Sequence, residues 1–297
     1  MNQPTREASA ITHVSDTALW VATYRALESK RPGALFHDPL ADLLAGERGR
    51  SIAASMPYPK IMAWALVIRT VAIDELIRRA LSLGIDAVIN LGAGLDTRPY
   101  RMDLPSALRW IEIDFPQIIA YKSEKLEDQR PVCRLERIAA DLSDIPLRRS
   151  IFQRMGSETK QALIITEGVL AYLTSQEAGE ISRDLFAVPS FRYWIQDYYM
   201  GGTKRWAPRR MRERLKESPF KFEEPEWLSF FERHGWKILE NRIAAEEAKR
   251  LKRPFPVPFP WALMAMLTPA KVKEKWRRSS GYVMYAKPVS QENSDVQ

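Results

Sequence analysis

Cysteine and histidine are nearly absent from this 297-residue chain, which has Cys133 alone and only His13, His37 and His234. One cysteine excludes an internal disulfide and a cysteine-based zinc site, and three scattered histidines offer no ligand cluster, so no metal is expected. Long apolar runs are missing too, and without about 18 such residues in a row a helix does not span a bilayer. The opening MNQPTREASAITHVSD has no basic-then-apolar leader pattern, and the chain reads as cytoplasmic. Internal repeats are lacking, and the one biased tract is the polar end, residues 289 to 297, which reads as a disordered tail.

Hydrophobic residues make up 45% of the chain, enough for a sizeable core. The net charge of +8 is unevenly spread, with 20 Lys and Arg against 10 Asp and Glu between residues 200 and 280. This basic third is either a solvated face or a surface for something anionic: an acidic substrate or partner, a membrane or a nucleic acid.

Helical periodicity marks the first 84 residues. Ser15 can cap a helix over ALWVATYRALESK; Asp38 and Pro39 can open a second over DPLADLLAG that Gly46 closes; a third over IMAWALVIRTVAIDELIRRALSLG ends at Gly84. From residue 86, short apolar runs alternate with amphipathic stretches. AVINL, RWIEID, RLERIAAD, ALIIT and FRYWIQD are candidate strands, with PQIIAYKSEKLED and SQEAGEISRDLFA as crossover helices. Alternation of this kind implies a doubly wound parallel sheet. GWKILENRI and GYVMYAKP can add an antiparallel edge after a mostly helical stretch. The organisation is thus one domain: helices over 1 to 84, a core over 85 to 200, and cap insertions with the last strands over 201 to 280.

The first strand runs into Gly92 and Gly94 of VINLGAGLDTRPYR, where bare backbone can approach a ligand closely. A dinucleotide fingerprint would need a third glycine at Thr97, which weighs against NAD or FAD and a nucleotide-dependent oxidoreductase. Two glycines alone are equally a structural turn. The next three strands, however, all end in acids: Asp114, about 20 residues on and placed to accept from ribose hydroxyls, with Glu112 as its competitor; Asp141, beside Leu142, placed to read an adenine edge; and Glu167. Ligands of open sheets bind at the carboxyl ends of strands, so the acids form a constellation. Asp141 and Asp144 could also be helix caps.

NLGAGLDTRPYR, WIEIDFPQ with Lys122 downstream, ITEGVLAYL, VIRTVAID and the opening SDTALWVATYRALESKRPGALFHDPLA together resemble the leucine carboxyl methyltransferase-like group of class I S-adenosylmethionine-dependent methyltransferases. The resemblance covers roughly residues 15 to 200, and its bacterial branch includes polyketide O-methyltransferases. It implies a Rossmann-like fold with a seven-stranded, mostly parallel sheet, an antiparallel edge, N-terminal helices and a helical C-terminal cap. It also implies S-adenosyl-L-methionine as cofactor. Gly92 and Gly94 would then approach its methionine part, Asp114 its ribose, Asp141 and Leu142 its adenine, Glu167 its ammonium or sulfonium end, and Arg69 its carboxylate. In relatives that methylate a protein C-terminus a lysine precedes the equivalent of Arg25; Tyr24 stands there, which favours the small-molecule branch.

Methyl transfer from a sulfonium depends mainly on alignment, and an ionised carboxylate needs no base, whereas a phenol with a pKa of about 10 does. With no histidine near a strand end, the expected acceptor is a carboxylic acid or an acidic hydroxyl. Tyr24, Tyr172, Tyr198 and Tyr199 are candidate substrate contacts. Residues 249 to 278, apolar and proline-punctuated between basic clusters, can be a lid, core packing or a contact with an anionic membrane surface. A nucleic-acid partner is not expected, since no aromatic-basic recognition motif is present.

Overall fold

The structure is a computed structural model that describes residues 16–200, 209–256 and 268–288. The N-terminal helices are α1 (Asp16–Ser29), α2 (Ala41–Ser55) and α3 (Pro59–Ser82). The core alternates β1 (Ala87–Leu91), α4 (Arg98–Arg101), β2 (Arg109–Asp114), α5 (Pro116–Lys125), β3 (Arg134–Ala139), α6 (Ile145–Ser157), β4 (Ala162–Thr166), α7 (Ser175–Ala187) and β5 (Phe191–Tyr199). Then come α8 (Arg209–Arg214), α9 (Trp227–Glu232), β6 (Lys237–Ile243), α10 (Ala244–Arg250), α11 (Ala270–Arg277) and β7 (Ser280–Ala286).

The seven strands form one sheet in the order β3-β2-β1-β4-β5-β7-β6. β1 to β5 pair in parallel, while β7 lies antiparallel to both β5 and β6. β1 and β4 are buried along their whole length, as expected of central strands covered by helices on both faces. One apolar layer joins Phe152, Ile181, Trp194, Phe222 and Trp236 on the side of α6, α7 and α9. The other joins Ile73, Leu76, Ile77, Trp110 and Met284 beneath α3. The expected class I methyltransferase fold is therefore present, antiparallel edge included.

Two details of the N-terminal helices differ from expectation. Gly46 does not close the second helix: it breaks the backbone (φ 56°, ψ −169°), and the helix resumes to Ser55. The resumed half is kept by packing against α1, where a Cβ on Gly49 would lie 2.7 Å from the Leu19 carbonyl oxygen. Asp38 does not cap that helix, since its carboxylate is taken by Arg25 Nε at 2.8 Å and the Thr97 hydroxyl at 2.6 Å. Elsewhere local rules hold; Thr174 and Glu177 form a capping box on α7, and Asp144 caps α6 through Leu147 N. Ser15, His13 and the polar tail lie outside the described residues.

Candidate active site

The strand order reverses between β1 and β4, and the crevice at such a reversal is where open α/β sheets bind ligands. A cavity of about 1490 Å³ opens there, running along the carboxyl edge and out between α3 and α10. At its inner end Gly92 and Gly94 adopt φ of 66° and 48°. A Cβ on Gly92 would meet Val169 Cγ2 at 2.5 Å, so glycine is required for space as well as for conformation. Asp114 braces this loop, accepting from Gly94 N at 2.6 Å through Oδ2 and from Phe115 N at 2.7 Å through Oδ1. Its carboxylate lines the cavity.

Beside the loop lies a connected set of ions. Glu167 at the end of β4 is held between Arg69 Nε (2.8 Å) and Arg98 Nη1 (2.7 Å). Arg98 also binds Asp96 (2.9 Å) and Asp74 (2.6 Å), and Asp74 binds Arg101 at 2.6 Å. Asp38 joins Arg101 to Arg25. At the end of β5, Asp197 faces Arg69 at 3.4 Å and accepts from Gly168 N at 2.8 Å and from the Tyr199 hydroxyl at 3.0 Å. Burial opposes ionisation of Glu167, but the Arg98 and Arg69 guanidinium groups outweigh it and hold its carboxyl below the ordinary value. Asp74 and Asp96 are likewise buried and held low by Arg98 and Arg101. The buried Arg69 Nε, though 2.8 Å from Glu167, is not aligned for a hydrogen bond, so the two form an ion pair without a directed bond at that atom.

Of the residues singled out by sequence, Arg69, Gly92, Gly94, Asp114, Asp141, Leu142, Glu167, Tyr172 and Tyr199 all line this cavity. Asp141 accepts from Ser143 N at 2.9 Å, and the neighbouring Leu142 carbonyl is fixed by Arg148, itself paired with Asp184. Two candidates lie elsewhere. Tyr198 points to the opposite face from Tyr199, as neighbouring strand residues must, and is buried in the α7 and α9 layer. Tyr24 packs between α1 and α2, where its hydroxyl donates to the Ala53 carbonyl at 3.4 Å. Glu112, the competitor of Asp114, is fully buried against Lys122 (2.8 Å) and Arg137 (3.0 Å) and is no part of the cavity. The sequence reading missed Asp74, Asp96, Arg98 and Asp197. Asp197 ends a recognised strand in an acid, the same signal as its three neighbours. Among the described residues no group of three or more potential ligands could hold a metal ion, and no helix is long and apolar enough to cross a membrane.

The leucine carboxyl methyltransferase family model matches residues 18–185. A Frankia alni protein named "Putative S-adenosyl-L-methionine-dependent methyltransferase" is 30% identical over 261 residues, covering 82% of this chain and 90% of its own. Proteins of the same description from Frankia alni and Streptomyces coelicolor are 35% and 36% identical, over 53% of this chain and 58% and 59% of their own lengths. This chain's match thus spans little more than half of those two relatives. A crystal structure from Thermobifida fusca described as "a putative methyltransferase", 15% identical, has the same fold, with a TM-score of 0.55 over 97% of this chain and 100% of its own. Sheet order and solved structure together define the class I methyltransferase fold. The chain belongs to the leucine carboxyl methyltransferase family.

Proposed function

We propose that this chain transfers a methyl group from S-adenosyl-L-methionine to a carboxylate or acidic hydroxyl of a small, polyketide-like metabolite. The supporting observation is that one cavity runs from the Gly92–Gly94 loop, past Glu167, to a wall of Trp20, Met62, Tyr172 and Phe220. At about 1490 Å³ it exceeds the ~300–1,000 Å³ of a pocket for one drug-sized ligand, leaving room for a second molecule.

The residues present suit the cofactor: bare backbone at Gly92 and Gly94, carboxylates at Asp114 and Asp141 for its nucleoside, and Arg69 for its carboxylate. When bound, it supplies an activated methyl on sulfur. The chain's own contribution is to align and to exclude water. Burial pushes the Tyr172 hydroxyl up to about 12, and burial beside Asp197 pushes the Tyr199 hydroxyl well above its ordinary value, so neither serves as a base; Tyr172 can donate to an acceptor, while the Tyr199 proton is taken by Asp197. Glu167, held ionised by two guanidinium groups, is a weak base. Walls of this kind favour an acceptor oxygen that arrives already ionised. Matched carboxylic acids and phenols assayed with the methyl donor test the reading: turnover of acids and acidic phenols is expected, and turnover of ordinary phenols alone overturns it.

A second reading, membrane-surface association with an apolar acceptor, is favoured by α11, where Trp276 is 62% exposed among Lys271, Lys273 and Lys275. Flotation with anionic vesicles at low salt is its test, and failure to float removes it.

A further inference from the structure

Among the described residues only Tyr58 and Lys252 combine a side chain with a left-handed backbone, φ 56° and φ 54°. Both line the cavity, Tyr58 just before the start of α3 and Lys252 just past the end of α10. α10 ends in a Schellman motif, with Arg253 N donating to the Ala248 carbonyl at 2.8 Å and Lys252 N to the Lys249 carbonyl at 3.1 Å. Lysine thus occupies the position that glycine ordinarily fills. Backbone strain retained at a ligand cavity is an observation that needs a gain elsewhere.

The surrounding contacts hold that lysine in place. Trp64 Nε1 donates to the Arg253 carbonyl at 2.8 Å, and the Trp64 and Phe255 rings meet edge to face at 4.9 Å. Arg253 in turn binds Glu28 at 2.9 Å and the Gly33 carbonyl at 2.7 Å. The mouth therefore presents aromatic faces from Tyr58, Trp64 and Phe255 beside the ammonium groups of Lys249 and Lys252. Both lysines are exposed, and no carboxylate from α3, α10 or residues 252 to 256 lines the cavity. Nearby acids are committed elsewhere, Glu28 to Arg253 and Arg31, and Glu247 to Arg250 and Arg242.

We propose that this rim is a specificity site for an aromatic acceptor bearing an anionic group apart from the methylated oxygen, with Lys252 as the residue that reads the charge. The proposal rests on the methyltransferase reading for its acceptor, but the rim's preference can be measured without turnover. The probes are 8-anilinonaphthalene-1-sulfonate and N-phenyl-1-naphthylamine, which share a ring system and differ in the sulfonate. Fluorescence titrations are run with saturating S-adenosylhomocysteine, on the intact protein, Lys252→Gly and the pair Lys249→Met with Lys252→Gly.

The sulfonate dye is expected to bind the intact protein more tightly than the neutral one. Lys252→Gly weakens it about fourfold and the double variant about tenfold, while the neutral dye changes less than twofold. The melting temperature of Lys252→Gly is unchanged or raised, which separates the lost charge from lost folding. Equal affinity for the two dyes, equal loss of both in the variants, or displacement of the sulfonate dye by S-adenosylhomocysteine overturns the proposal. Calorimetry with S-adenosylhomocysteine alone keeps the two ideas apart. Dye discrimination without nucleoside binding sinks the methyltransferase reading and spares the rim; nucleoside binding without dye discrimination does the opposite.

Discussion

The inner wall of the cavity and its outer rim treat charge in opposite ways. At the wall, arginines and carboxylates pair with each other in a buried chain of contacts, from Arg25 and Asp38 through Arg101, Asp74 and Arg98 to Glu167, Arg69 and Asp197. At the rim, Lys249 and Lys252 stand exposed beside aromatic rings, one of them on strained backbone. Buried ions hold each other's geometry because neither partner can be removed cheaply. The wall is therefore suited to an invariant ligand, and the rim to a variable one.

The largest effect should come from breaking the wall. Asp74→Ala leaves Arg98 and Arg101 buried without their shared carboxylate, and a loss of about 3–5 kcal/mol in urea unfolding is expected. Asp114→Ala removes the carboxylate that braces Gly94 N; weaker binding of S-adenosyl-L-methionine by about 2 kcal/mol, some thirtyfold, should appear in calorimetry.

Acid sharpens the contrast further. Asp74, Asp96 and Glu167 have folded-state values below their ordinary 3.8 and 4.5, so each contributes stability that is present above those values and lost as pH falls through the folded one. Thermal unfolding should show stability falling once pH drops below about 4.5, with a smaller fall in Glu167→Gln. The smallest effect belongs to the rim: Lys252→Gly relieves left-handed strain and should raise stability by at most about 1 kcal/mol in the same assay.

Strands were the most legible part of the sequence, because buried parallel strands are short apolar runs between turn formers. β1, β2 and β4 begin and end at the residues their patterns indicate, and β5 runs two residues beyond Asp197. The acids were legible as well, since topology alone brings β2, β3 and β4 to one edge, although β3 stops at Ala139, two residues short of Asp141. Faces were harder to read. Tyr198 and Tyr199 are both aromatic, and only the register of β5 decides which one meets the cavity. Asp74 and Arg98 stood in a helix and a turn 24 residues apart, and nothing local marks them as partners at 2.6 Å. Gly46 had the signature of a helix stop, but α1 packing carries the helix past it.

The connected ions of the wall also form a charge balance. Four guanidinium groups, Arg25, Arg69, Arg98 and Arg101, meet five carboxylates, Asp38, Asp74, Asp96, Glu167 and Asp197, an excess of one negative charge. S-adenosyl-L-methionine carries one net positive charge, from sulfonium and ammonium against its carboxylate, and its demethylated product carries none. On the proposed function, the wall's excess charge complements that of the donor and not that of the product. On that reading, loss of the sulfonium charge favours release of the spent nucleoside.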